Sequence, residues 1–101
     1  MARGHAVPDI IIELLSDTTR ESDKGETKTL YERVFHTTEY YLYDPLSQEF
    51  VGYHLHSGRY QPVERDEQGR VYSPSTNLYL VVRDEWLRWM TREGVIQRPR
   101  N

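Results

Sequence analysis

The chain alternates short apolar runs with polar, turn-rich stretches, and each run is the length of one element in a small domain. Pro8-Asp9 opens Ile10-Ile11-Ile12-Glu13-Leu14-Leu15. A nearly continuous apolar run with β-branched residues, bounded by Pro and Ser, predicts a strand buried on both faces. Residues 16–24 are polar and predict a loop. From Gly25 to Phe35, Thr27, Leu30, Tyr31 and Val34 recur at the i, i+3, i+4, i+7 spacing of one helical face, and His36-Thr37-Thr38 ends the helix. Glu39-Tyr40-Tyr41-Leu42-Tyr43 is aromatic and strand-like, and Asp44-Pro45-Leu46-Ser47 is a turn.

Residues 49–56 predict the next strand, with Gly52 read as a bulge. Ser57-Gly58 makes a tight hairpin turn into Arg59–Val63. Another turn at Asp66–Gly69 precedes Val71-Tyr72, residues 73–77 predict a loop, and Leu78–Val82 a strand. Trp86–Met90 and Val95–Gln97 flank a four-residue loop containing Gly94, which favours a hairpin over a short helix. The expected fold class is α/β, or α+β: one main helix against a mixed β-sheet with antiparallel hairpins. Residues 1–7 are unpatterned and expected to be a disordered N-terminus; residues 8–101 are expected to form a single domain.

Composition narrows the function classes. The chain of 101 residues is 37% apolar and 29% charged, as in soluble globular proteins. No run approaches the ~20 apolar residues of a membrane span. No apolar segment follows the first residues, so a cytoplasmic location is expected. The absence of cysteine excludes disulfides and thiolate metal sites. A net charge of −3 argues against a broad nucleic-acid-coating surface but leaves room for a local site. Only Lys24 and Lys28 are lysines; the other basic residues are arginines, which suit bidentate phosphate contacts and solvated faces alike.

Glu13 is the most informative residue. An ionised carboxylate inside an apolar strand is costly unless it is paired or binds a cation, so it reads as a metal ligand, or as a Glu on an exposed face or paired with Arg. Asp9, four residues earlier, lies roughly 13 Å away at ~3.3 Å per residue, too far for both to ligate one ion directly. Lys28 sits ~100° from Thr27 around the helix, at the edge of the buried arc. Its stem can reach over the sheet toward Glu13, or it forms an i, i+4 pair with Glu32. His54 and His56 share a strand face, as a metal-binding pair or as exposed residues. Tyr40, Tyr41 and Tyr43 could stack on bases, or build a core or dimer face.

Together, Pro8, Asp9, Glu13, Leu15, Ser16, Thr19, Asp23, Gly25, Glu26, Leu30, Tyr31, Glu39, Tyr40, Asp44 and Pro45 stand in a pattern that resembles the putative restriction endonuclease domain family of the PD-(D/E)XK nuclease superfamily. The resemblance covers about residues 8–97. It implies a restriction-endonuclease-like fold and a Mg²⁺-dependent DNA endonuclease that hydrolyses phosphodiester bonds. Glu13 would be a metal ligand and catalytic residue, and Lys28 a catalytic residue placed on the helix. Asp9 stands as a further metal-ligand candidate. Family members carry this lysine most often where Thr27 stands, one residue earlier. They also carry upstream strands with a second metal-binding Asp, so the resemblance implies a truncated copy with an incomplete catalytic set. That copy would be completed by a complementary fragment, or it would act as a non-catalytic homodimeric interaction protein. A DNA-binding module without cleavage is a third reading, disfavoured by the acidic balance.

Overall fold

The computed structural model describes residues 9–16 and 23–97. The expected N-terminal tail, and most of the loop after the first strand, lie outside them. Seven strands are present: β1 (Ile10–Leu14), β2 (Glu39–Tyr43), β3 (Phe50–His56), β4 (Arg59–Val63), β5 (Val71–Ser73), β6 (Leu78–Arg83) and β7 (Trp86–Met90). Between β1 and β2 the chain winds through two helical pieces, α1 (Asp23–Thr27) and α2 (Leu30–Phe35). This is the mixed α+β fold that the sequence predicts.

The strands form two sheets. A mixed sheet has the order β1-β2-β3-β4, with β1 parallel to β2 and the other pairs antiparallel. A parallel pair needs a crossover, and the helical segment supplies it. The second sheet, β5-β6-β7, is antiparallel. Pro62 explains why the first sheet stops at β4, since a residue without an N–H belongs on an edge strand. The hairpin reading of the C-terminal stretch holds. Met90 bridges Ile96, and the Gln97 N–H donates to the Trp89 carbonyl at 2.8 Å.

Strand β2 is buried along its whole length. Alternation sends Tyr41 and Tyr43 into one core with Phe50, Val71 and Leu80, between the two sheets. Tyr40 and Leu42 enter a second core with Leu15 and Tyr60, against which Ile11, Tyr31, Tyr53 and Leu55 pack. The layers are therefore helix, mixed sheet, antiparallel sheet.

Three expectations are corrected. β1 is not buried on both faces: it is an edge strand, and Ile12 and Leu14 are 39% and 52% exposed on the side facing the second sheet. The helix presents a different stripe, because both its pieces have wide, π-type turns. At about 82° per residue, Thr27, Lys28, Tyr31 and Glu32 share a side while Leu30 and Val34 swing outward. The first four are half-buried, and Val34 is 61% exposed. Gly52 is not a bulge, since it pairs in register with Tyr41 and Val63.

Gly52 is instead a place of close approach. An added Cβ would lie 2.9 Å from the Tyr41 ring and 3.2 Å from Val71 Cγ1. Tyr41 is fully buried and has nowhere to retreat. Gly52→Ala is therefore expected to destabilise the fold by ~1–3 kcal/mol through overpacking, read as a lower midpoint in chemical denaturation.

Candidate functional site

On the helix-facing side of the mixed sheet, Ile11 lies beside Tyr40 and Glu13 beside Leu42. Leu42 in turn pairs with Val51, and Tyr40 with Tyr53. The wide-turn helix brings Lys28 over this same side, with Nζ 4.3 Å from the centroid of the Tyr53 ring. Glu13 and Lys28 thus stand on one face. Two strands and two residues separate Glu13 from Tyr53, about 12 Å between Cα atoms. The same side of the sheet holds a cavity of about 220 Å³ lined by Leu15, Leu42, Glu49, Val51 and Tyr53. Glu13 and Lys28 do not line it: Leu42 is the strand partner of Glu13, and Tyr53 lies beneath Lys28.

Glu32 does not serve as the i, i+4 partner considered for Lys28. Its carboxylate accepts the Tyr60 N–H at 2.7 Å and pairs with Arg59 and Arg33 at 3.8 and 3.7 Å. This fastens the helix to β4 and leaves the Lys28 ammonium over the aromatic ring. Asp9 is exposed at the far end of β1. Its backbone carbonyl accepts from Thr38 Oγ1 at 2.9 Å and from the Glu39 N–H at 3.0 Å, so the residue ties β1 to the start of β2. Tyr40, Tyr41 and Tyr43 are fully buried and unavailable for stacking on bases.

The residues present fit a divalent ion only in part. Among the described residues, no group of three or more His, Asp or Glu converges as a metal cage. Mg²⁺, however, takes one or two carboxylates and completes its shell with water and substrate phosphate. Glu13 can be one of those carboxylates.

A second polar centre lies on the other side of the mixed sheet, and sequence reasoning passed over it. Glu39 is only 2% exposed. It accepts the Tyr41 hydroxyl at 2.7 Å, the Ser73 hydroxyl at 2.5 Å and the Ser75 N–H at 2.7 Å. The Tyr41 oxygen also lies 3.2 Å from His54 Nε2. Burial pushes the Glu39 carboxyl up, but these donors outweigh it and hold it below its ordinary 4.5. His54 is depressed below its ordinary 6.5, by burial first and with help from His56, against the pull of Glu39. The network joins β2 and β3 to β5, so it is a clasp between the sheets. His54 belongs to that clasp. The sequence signal was a Glu opening an aromatic strand, which looks like ordinary strand punctuation until Ser73 and Ser75 are brought to it.

A family model described as Uma2, putative restriction endonuclease, matches residues 2–85. No curated protein matches the chain.

The clasp sets a pH dependence. Both groups titrate lower in the fold than in the unfolded chain, so the unfolded chain binds more protons and stability rises with pH. Acidification is expected to lower stability first from 6.5 downward, as His54 charges. A second loss begins below 4.5, as Glu39 is protonated. Urea titrations across this range check it. His54→Gln should remove the first loss, and Glu39→Gln should cost about 2 kcal/mol at neutral pH by weakening bonds to a charged acceptor.

Proposed function

The chain belongs to the Uma2 family of putative restriction endonucleases, and on that footing we propose that it acts on DNA as a metal-dependent endonuclease through the sheet face that carries Glu13 and Lys28. The observation that carries the reading is the rotated helix stripe. It brings Lys28 over the face that holds Glu13, although the lysine stands one residue later than in most of the family.

Glu13 would hold a Mg²⁺ ion together with a carboxylate from a complementary fragment. When bound, such an ion supplies Lewis acidity and lowers the pKa of a bound water. The protein's own residues supply the rest. The Lys28 ammonium is a fixed positive charge for the phosphate oxygens and for the negative charge that grows on them during hydrolysis. Tyr53 beneath it holds the side chain in place by cation–π attraction, a contact worth about 0.5–1 kcal/mol. Leu15, Leu42 and Val51 floor the cavity with apolar surface, which strengthens electrostatic contacts above it. Asp9, at the other end of β1, supports the strand that carries Glu13. Among the described residues no helix is long and apolar enough to cross a membrane, and the reading places the enzyme in the cytoplasm with DNA.

A second reading is favoured by the exposed edge of β1. A five-residue edge strand with Ile12 and Leu14 turned to solvent is a template for strand addition. An interaction protein that kept the fold would use that edge to form a homodimer or to capture a complementary chain.

Calorimetric titration with Mg²⁺ and Mn²⁺ separates the two. Under the endonuclease reading, the intact chain binds the ion and Glu13→Gln abolishes binding. Lys28→Ala keeps binding but lowers the cleavage rate about 10²–10³-fold, the scale of losing one transition-state donor. Absence of metal binding in both proteins, with a dimer in sedimentation, would leave the interaction reading.

A further inference from the structure

The face of the antiparallel sheet that points away from the core has a distinct composition. The inward positions are Val71, Leu80, Val82, Leu87 and Trp89, which pack on Tyr41, Tyr43 and Phe50. By alternation and register, Tyr72, Tyr79, Arg83, Trp86 and Arg88 point the other way. Tyr72 and Tyr79 are direct partners with ring centroids 5.2 Å apart. The Arg70 guanidinium lies over the Tyr79 ring at 4.1 Å. It is held there by Asp66 at 2.8 Å and by the Arg92 carbonyl at 3.1 Å. Arg83 pairs with Trp86 and Arg88 with Val81, so each cation sits beside an apolar or aromatic group.

Val81 and Met90, the aliphatic residues on this face, are already buried at 4% and 2%. The accessible surface is consequently aromatic and cationic. Trp86 is 50% exposed, the two tyrosines and Arg88 are half-buried, and Arg83 is exposed. None of the three strands contains an acidic residue; Asp84 and Glu85 stand only at the β6–β7 hairpin tip. Residues from Trp86 onward also lie past the span that the family model matches.

We infer that this outer face is a stacking platform for single-stranded nucleic acid, on the side of the molecule opposite Glu13 and Lys28. Unpaired bases expose their π-faces, and aromatic side chains with arginines between them offer stacking together with phosphate contacts. A duplex keeps its bases stacked on one another and gains only the phosphate term. The face keeps its aliphatic groups covered and exposes Arg83 and, in part, Arg88, which favours a polyanion over a protein partner. The inference extends the DNA-directed reading but does not depend on cleavage.

The test is binding of a fluorescein-labelled oligothymidylate to the full chain in EDTA, followed by anisotropy, beside the same length of duplex. The single strand is expected to bind more tightly than the duplex. Trp86→Ala should weaken it about tenfold, the scale of one stacked base, while Trp86→Phe retains most of the affinity. Arg88→Ala should flatten the dependence of log K on log salt by about 0.7, the value for one phosphate on a single strand. EDTA removes any divalent ion from the assay, so a failure of the endonuclease reading leaves this result standing. Wild-type affinity in both Trp86→Ala and Arg88→Ala would overturn the inference. So would loss of oligonucleotide binding with Lys28→Ala alone. A dimer in sedimentation that Trp86→Ala dissolves, with no oligonucleotide bound, would overturn it in favour of self-association.

Discussion

Complete burial of β2 is the constraint on which the rest of this structure depends. Each residue of that strand is withdrawn from water, and three of the five are tyrosines whose hydroxyls go in with them. A buried hydroxyl without a partner is expensive. Tyr41 therefore finds Glu39, and Tyr43 donates to the backbone carbonyl of Glu85 at the tip of the second sheet. Glu39 in turn must be paid for, and the donors that satisfy it come from Ser73 and Ser75. The polar needs of one strand thus specify how the antiparallel sheet docks, while its apolar area provides the driving force.

The same constraint explains which parts of the fold were legible in the sequence. Strand positions were readable because alternation and turn chemistry are local. Ser57 and Gly58 adopt φ of 51° and 80°, the left-handed pair that a tight hairpin requires. Asp44 accepts from the Leu46 N–H at 2.9 Å, as an Asp-Pro turn should. The division into two sheets was less visible, because no local signal says which strand will cover another. Burial of β1 was misjudged for a related reason: a β-branched run looks the same on an edge as in a sheet centre. Gly52 was misassigned because a bulge and a close approach leave the same mark in a sequence, and only the Tyr41 ring behind it separates them.

The candidate site shows what a period error does to chemistry. A regular α-helix puts Leu30 and Val34 toward the sheet and leaves Lys28 at the margin. Widened turns reverse this, and the polar pair Lys28 and Glu32 faces inward instead. Glu32 is then consumed by the Tyr60 N–H, which frees the lysine to settle over Tyr53. Lys28 in this way faces the sheet. The carboxylate of the pair, Glu13, was visible from the start because a charge inside an apolar run stands out. The helix geometry was not, since the spacing of apolar positions carries no mark of a widened turn.

Charge distribution follows from the same accounting. The chain carries an acidic excess of three, yet several acids are turned inward or committed to structure. Glu39 is sealed between the sheets, Glu32 is bound to β4, and Asp66 holds Arg70 in position. A carboxylate committed to internal donors and shielded by burial projects less field than its formal charge suggests, whereas Arg83 is exposed and projects its own. Net charge is then a poor guide to what each side of this molecule attracts. The helix-facing side carries a carboxylate, Glu13, and an ammonium, Lys28, on one face of the sheet. The far side sets rings and guanidinium groups on a sheet free of acids, the arrangement suited to an unpaired strand. A formal charge of −3 is compatible with both because a sum over the chain does not say on which face each charge stands.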